Sequence, residues 1–335
     1  MAFNGRFVLN VIDFASKQGA DRDALIALSN TSESNLLEES CFIENTVFSG
    51  VLEKSVEVTG DPFFGLHAGE HLNLSAAGII AQLTQSSETV RQALELACSF
   101  ANIECSSLPV QLIEEEDYFK LVLTANELWR QQSELAVQHC IEGLVAFKIR
   151  QFQSLTREEH TPIEVRLPWH GLKDEDEYRR VYQCPIQFNQ VEAAILLKKV
   201  HVEERIINAD YNLLRILVAY AEEKSAKIKQ KQGFVGLVKE SILNLVKPSF
   251  PGISQVAYTL NMSRRTLQRR LKNEGYVYKD VVDELRKDFA ESYLRRENLT
   301  IGQVAALLDY ADTSTFSRSF KRWHGMSPSE YRALH

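Results

Sequence analysis

Val256-Ala257-Tyr258-Thr259-Leu260-Asn261-Met262 and Val304-Ala305-Ala306-Leu307-Leu308-Asp309-Tyr310 are one plan written twice, 48 residues apart. Each is followed by a second match. Leu267-x-Arg269-x-Leu271-Lys272 returns as Phe316-x-Arg318-x-Phe320-Lys321 at an offset of 49. One residue is inserted between the blocks of the second copy, and Gly275 and Gly325 close the two units. An internal repeat constrains architecture more than any single segment does. Each copy has the pattern of two short helices joined by a tight turn. Ile253, Val256, Ala257 and Leu260 share one helical face, as do Ile301, Val304, Ala305 and Leu308. Asn261 and Asp309 stand at the turns, where a short polar side chain tolerates a left-handed backbone. Ser263 is an N-cap for the next helix, Thr300-Ile301-Gly302-Gln303 has capping-box form, and Asp312 or Thr313 caps the last. Small Ala257 and Ala305 allow the close helix crossing that a helix-turn-helix needs.

The second helix of each copy carries the chemistry. With Leu267 and Leu271 facing inward, Arg264, Arg265, Gln268, Arg269 and Lys272 point to solvent. Thr313, Ser314, Ser317, Arg318, Lys321 and Arg322 take the equivalent places in the second copy, over an inward Phe316, Phe320 and Trp323. Arg and Gln are the side chains that read guanine and adenine edges in the major groove. A solvated polar face is the plainer reading of either helix alone, but it does not explain two capped copies in one basic segment. Between them, Val281, Val282, Leu285, Phe289 and Leu294 mark a linker helix from Tyr278 to about Asn298. Its roughly 20 residues span about 30 Å, close to the roughly 34 Å between major grooves on one DNA face. One chain is therefore expected to set two different reading surfaces in adjacent grooves, on an asymmetric site.

Charge agrees once the chain is divided. Residues 233–335 hold 16 Lys+Arg against 11 Asp+Glu, whereas residues 1–232 hold 22 against 34, although the whole carries −7. A basic C-terminal part suits a phosphate backbone, and an acidic N-terminal part faces away from it. The 44% hydrophobic and 25% charged residues exclude a disordered or fibrous chain. No apolar run reaches the roughly 18 residues of a membrane span, and residues 1–10 do not have signal-peptide form. Five scattered cysteines (Cys41, Cys98, Cys105, Cys140 and Cys184) form no C-x-x-C and suit reduced thiols in the cytoplasm.

The C-terminal motifs resemble the AraC/XylS family of bacterial regulators. The matching residues are Leu260-x-Met262-Ser263-x-Arg265-x-Leu267-x-Arg269, Ile301-x-x-Val304-Ala305, Phe316-x-Arg318-x-Phe320-Lys321-Arg322 and Gly325-x-Ser327-Pro328-x-x-Tyr331-Arg332. The resemblance implies seven helices and two helix-turn-helix units. It points to Arg265, Gln268, Arg269, Thr313, Ser314, Ser317 and Arg318 as base readers. Ser263, Thr266, Lys272, Lys321 and Arg322 are expected to hold phosphates. Two residues depart from the family pattern: Asn261 replaces the usual turn glycine, and Val277-Tyr278 the usual Ser-Pro.

The expected fold class is an α+β N-terminal domain followed by an all-α DNA-binding domain, with two helix-turn-helix units joined by a linker helix. The expected boundaries are 1–205 for an effector-sensing or dimerisation domain, 206–232 for a helical linker, and 233–335 for DNA binding. Helical spacing runs over Gln18–Leu28, Asn45–Val58, Glu88–Ala101 and around Ile141–Phe152; strands are expected at Gln111–Ile113, Phe119–Leu123, Ile163–Leu167 and Ala194–Lys198. Gly60-Asp61-Pro62-Phe63-Phe64-Gly65-Leu66-His67-Ala68-Gly69-Glu70 resembles the arabinose-binding-type domain of an AraC subgroup that includes regulators of amino-acid catabolism and virulence. Within it His67-Ala68-Gly69-Glu70-His71 has the H-x-x-E-H order of a zinc site, but Gly65 and Gly69 favour a turn over a helix. No metal, cofactor or catalytic residue is expected. A helical stretch from Ala209 to about Lys231, with Leu213, Leu214, Ile216, Leu217 and Tyr220, either packs on its own domain or dimerises.

These features predict a DNA-binding regulator, a homodimeric activator that responds to a small-molecule effector and contacts promoter DNA and RNA polymerase. A ligand-independent regulator controlled by a partner protein is the alternative. A remoter one is an enzyme with an appended DNA-binding module, which would need a reactive thiol, and neither Cys98 nor Cys140 sits in a basic pocket or on a strand-to-helix elbow.

Overall fold

The computed structural model describes residues 2–73, 77–157, 160–170, 175–245, 249–295 and 299–334. The chain divides into two compact units. The first comprises Met1–Ala125 and Ser133–Ser225; the second comprises Asn126–Gln132 and Ala226–His335. Among the described residues no helix is long and apolar enough to cross a membrane.

In the first unit, β1 (Ala2–Asn4) leads directly into α1 (Gly5–Lys17), with the Asn4 side chain accepting from the Arg6 N–H. The helix expected over Gln18–Leu28 starts later. Asp21 accepts from the N–H groups of Asp23 and Ala24, so α2 (Arg22–Leu28) begins behind that cap. There follow α3 (Glu33–Leu36), β2 (Phe42–Glu44), which pairs antiparallel with β1, and α4 (Asn45–Thr59). Next come α5 (Phe64–His71), α6 (Gly78–Ser86) and α7 (Val90–Phe100). Strands β3 (Val110–Glu114) and β4 (Tyr118–Leu123) form an antiparallel pair. After α8 (Glu127–Gln132), which belongs to the second unit, the first unit continues with α9 (Glu134–Gln153), β5 (Glu164–Arg166), α10 (Glu175–Tyr182), β6 (Ile186–Gln187), β7 (Ala193–Lys198) and α11 (Lys199–Val202).

The main sheet runs β3-β4-β7-β5-β6, antiparallel except for the β5–β6 pair. All four strands read from the sequence lie in it. The run Ala193–Leu197 is buried throughout, which is why β7 lacks the alternation of a half-exposed strand.

The glycine-bearing segment expected as a turn is helix α5, and this corrects the sequence reading. A Cβ on Gly65 would lie 2.1 Å from the carbonyl oxygen of His139, and one on Gly69 would lie 2.0 Å from that of Gly143. The glycines thus let α5 lie backbone to backbone against α9, and packing overrides their poor helix propensity. The Arg150 guanidinium closes the end of α5 by donating to the carbonyls of Glu70 and Leu72. Helix α9 is buried along most of its length, and its Glu142 accepts from Trp169 Nε1 (2.9 Å) and the Tyr178 hydroxyl (2.7 Å). Burial raises that carboxyl to about 7.

The helical run α12 (Tyr211–Leu245) is interrupted at Gly233, whose φ of 66° and ψ of 178° are non-helical. From Phe234 onward the described residues form seven helical segments: the second part of α12, then α13 (Ile253–Thr259), α14 (Arg264–Asn273), α15 (Tyr278–Leu294), α16 (Ile301–Leu307), α17 (Thr313–His324) and α18 (Pro328–Leu334). They enclose one core that includes Val238, Val256, Leu267, Leu285, Phe316 and Phe320. The linker helix ends earlier than the expected Asn298: α15 stops at Leu294, with Arg295 as its C-cap, and residues 296–298 lie outside the described residues.

Candidate nucleic-acid interface

Both repeats fold as helix-turn-helix pairs, α13–α14 and α16–α17. Their turns hinge on Asn261 (φ 52°) and Asp309 (φ 58°), left-handed in both copies. Asn261 therefore does the work of the glycine it replaces, because a short polar side chain is tolerated in that region. The caps fix where each second helix begins. Ser263 Oγ accepts from the Thr266 N–H at 3.1 Å, and Asp312, not Thr313, caps α17 by accepting from Thr315 N–H at 2.7 Å. Thr300 and Gln303 form the reciprocal box at the start of α16, and Ser327 with Glu330 does the same for α18. Val277 lacks a capping hydroxyl, but its N–H donates to Asp280 (3.4 Å) and α15 still begins at Tyr278.

Leu267 and Leu271 are buried beneath α14, as are Phe316 and Phe320 beneath α17. This rotation leaves Arg264, Arg265, Gln268, Arg269 and Lys272 exposed on one helix. On the other, Thr313, Ser314, Arg318, Lys321 and Arg322 are exposed and Ser317 is half-buried. Two of the expected phosphate holders are engaged locally: the hydroxyls of Ser263 and Thr266 lie 2.9 Å apart within the cap. Arg318 Nη2 donates to Thr315 Oγ1 (3.2 Å), which in turn donates to Asp312 (2.9 Å), so the guanidinium is steadied from its own first turn. Arg322 lines a groove with Lys279, Asp280, Asp283, Glu284 and Lys287 of α15, a setting of mixed charge.

Three features escaped the sequence reading. Tyr258 on α13 is 84% exposed; an aromatic ring left in water beside the turn has no packing role. Arg270 lies 4.2 Å above the Phe234 ring, a cation–π contact that engages its guanidinium. Glu274 accepts from the N–H groups of Phe234 (2.7 Å) and Val235 (2.9 Å). Only the last was foreseeable in kind, since a glycine followed by an apolar run asks for a cap, but its partner lies 40 residues away.

Within the first unit, the H-x-x-E-H residues are committed elsewhere. His67 Nδ1 and Nε2 each lie 2.6 Å from a carboxylate, of Asp61 and Glu177 respectively, and Glu70 pairs with Arg180 at 2.8 Å. No lone pair of His67 is left for a metal. Among the described residues one group has metal-ligating composition, His160, His201 and Glu204, with ligand atoms within 4.8 Å of one another. Its imidazoles stack 3.8 Å apart with planes 14° from parallel. A metal lies near the plane of each imidazole that ligates it, and these two planes have no common point between the rings.

The comparisons with known proteins accord with this geometry. The profile of the arabinose-binding domain of AraC transcription regulators, N-terminal, matches residues 19–206, and a helix-turn-helix profile matches residues 256–334. The chain belongs to the AraC family. Among its AraC-family relatives is the ornithine utilization regulator of Pseudomonas aeruginosa, 25% identical over 323 residues, covering 96% of this chain and 94% of that protein. The transcriptional regulator VirS of Mycobacterium tuberculosis is 25% identical over 304 residues, covering 88% of this chain and 86% of its own. The crystal structure of the transcriptional regulator CdpR from Pseudomonas aeruginosa matches 93% of this chain and 96% of its own, at 25% identity and a TM-score of 0.46. This AraC-family member is accordingly a transcription regulator with a helix-turn-helix DNA-binding domain.

Proposed function

We propose that the chain is an effector-responsive transcriptional activator, working as a homodimer in the cytoplasm and recruiting RNA polymerase at asymmetric promoter sites. The observation that carries the reading is the paired presentation of α14 and α17, two capped helices with apolar floors and polar, cation-bearing outer faces in one AraC-type domain. Residues 233–335 bind DNA, 206–232 link, and 1–205 sense the effector. Arg265, Gln268, Arg269, Thr313, Ser314, Ser317 and Arg318 read bases. Lys272, Lys321 and Arg322 hold phosphates, with Ser263 and Thr266 contributing their cap hydroxyls.

Dimerisation is assigned to the first part of α12. Leu214, Leu217 and Ala221 are buried, while Leu213, Ile216 and Tyr220 form a second stripe left in water, with Ile216 67% exposed. Such a stripe suits a matching helix of another copy. The chain is not assigned an enzymatic role. Burial raises all five thiols, Cys105 and Cys184 to about 12, which suppresses the thiolate that a nucleophile requires.

Genome-wide occupancy of the intact protein beside an Arg269→Ala, Arg318→Ala double variant tests the reading. Sharp promoter sites that vanish in the variant support it. Sites indifferent to both arginines overturn the assignment of the reading residues.

A further inference from the structure

The first unit holds a partly open cavity, with about 90 Å³ open to the centre of a water molecule. One water needs roughly 10–15 Å³ of such space, so the cavity has room for a small organic molecule. Helix α9 presents Leu144, Phe147, Lys148 and Gln151 to it, the i, i+3, i+4, i+7 spacing of a single helix face. Phe3, Phe7, Leu72, Ile80 and Leu108 supply much of the opposing apolar wall.

Lys148 is out of place in this lining. It makes no hydrogen bond or ion pair among the described residues. Glu104 reaches the same cavity, but its carboxyl, raised by burial, interacts with Lys224, Glu39 and Arg6 and not with Lys148. The thiol of Cys98 is the titratable group whose charge bears on Lys148, and burial keeps that thiol neutral. Desolvation accordingly lowers the Lys148 pKa. The Gln151 amide is fixed by donation to Thr84 Oγ1 at 2.8 Å. An ammonium in apolar surroundings without a counter-charge is costly, so such a group either gives up its proton or gains an anion; a ligand carboxylate in this cavity would be that anion.

We propose that this cavity is the effector site and that it takes a small amphiphilic monocarboxylic acid, with the carboxylate on Lys148 and the apolar body among Phe3, Phe7 and Phe147. The assignment rests on the effector-responsive reading above. It excludes amines, which would meet Lys148 with like charge. It also disfavours free amino acids, whose ammonium would meet either an apolar wall or the Glu104 carboxyl, which burial biases toward its neutral form.

The test measures binding to the full chain by calorimetry and thermal shift, with decanoate, 4-phenylbutyrate, decanol and L-ornithine as probes. The expected result is that decanoate or 4-phenylbutyrate binds and raises the melting temperature, while decanol and ornithine bind far more weakly. Which acid binds decides between an aliphatic and an aromatic body. Lys148→Met keeps the length and apolar stem of the side chain and is expected to lose roughly ten- to a hundredfold in acid affinity. Leu144→Trp keeps the ammonium but fills the cavity, and it carries the test if Lys148→Met fails to fold. Binding of neither acid, equal binding of decanol, or full affinity in a folded Lys148→Met overturns the proposal. Promoter-DNA affinity is measured on the same samples. DNA binding without acid binding overturns the cavity assignment alone. Acid binding that leaves DNA affinity unmoved supports the cavity as a ligand site and removes effector control.

Discussion

Glu274 holds the N–H groups of Phe234 and Val235 from the far end of α14, 2.7 and 2.9 Å from its two carboxylate oxygens. The helical segment that follows Gly233 is therefore capped by a residue at the C-terminal end of α14. Negative charge at a helix N-terminus also meets the positive end of the helix dipole. Gly233 completes the device with a backbone conformation that is essentially glycine-only. Glu274→Ala is expected to destabilise this region by about 0.5–2 kcal/mol and Gly233→Ala by about 1–3 kcal/mol. Faster amide exchange over residues 234–245 in both variants is the readout, and unchanged protection would show that the cap is ornamental.

Two helical glycines, one in the α5–α9 crossing and one outside it, predict opposite outcomes. Gly69→Ala places a methyl group 2.0 Å from a backbone oxygen that belongs to a buried helix. Overpacking of this kind costs about 1–3 kcal/mol or more, so the first unit should lose much of its stability in denaturant melts. Gly50 on α4 has nothing within 4 Å of the added methyl. Gly50→Ala should instead stabilise by about 0.5–1 kcal/mol.

Glu142 makes the first unit sensitive to pH. Burial lifts its carboxyl from 4.5 to about 7, so the folded state prefers the protonated form. Stability from this group is fully present below pH 4.5 and is lost as pH rises through about 7. Glu142→Gln removes the ionisation and retains an oxygen for Tyr178 and Trp169. Thermal melts at pH 5 and pH 8 should show the variant gaining on the parent at the higher pH. A gap that stays constant would place the proton elsewhere.

Base readers and phosphate holders separate by salt and by sequence. Arg269→Ala should cost about 1–3 kcal/mol in specific binding and relax preference at one base pair. Lys321→Ala should weaken binding to all sequences alike and reduce the slope of log K against log salt by about 0.9. Titrations of matched and singly altered sites between 50 and 200 mM salt distinguish the two; an unchanged ranking of sites for Arg269→Ala counts against its reading role.

Much of the DNA-binding region was legible in residue order because it is built from local rules applied twice. Ser263, Asn261, Thr300 and Asp312 act on neighbours within a few positions, and a cap or turn needs nothing from the rest of the chain. In the first unit four of the seven described strands were visible as short apolar runs, while β1, β2 and β6, two or three residues each, are too short to show a pattern. Helix α5 was hidden, because its glycines are unfavourable locally and are required by a neighbour more than 70 residues away. The lone charge of Lys148 was equally invisible. A lysine in a helix ordinarily faces water, and only the packing of distant segments such as Phe3, Phe7, Ile80 and Ala97 around α9 places this one in a cavity.

Sequence alone determined the repeat, the caps at Ser263 and Thr300, the opposite charges of the two parts and the outward rank of Arg265, Gln268 and Arg269, since periodicity and local hydrogen bonding need no distant partner. Tertiary structure alone decided that Gly65 and Gly69 belong to a helix, that Glu274 caps Phe234, that His67 lies between two carboxylates and that Lys148 has no counter-ion among the described residues. Each of these depends on a group far away in the chain, and the free energy of a contact or a buried charge is set by what folding brings beside it.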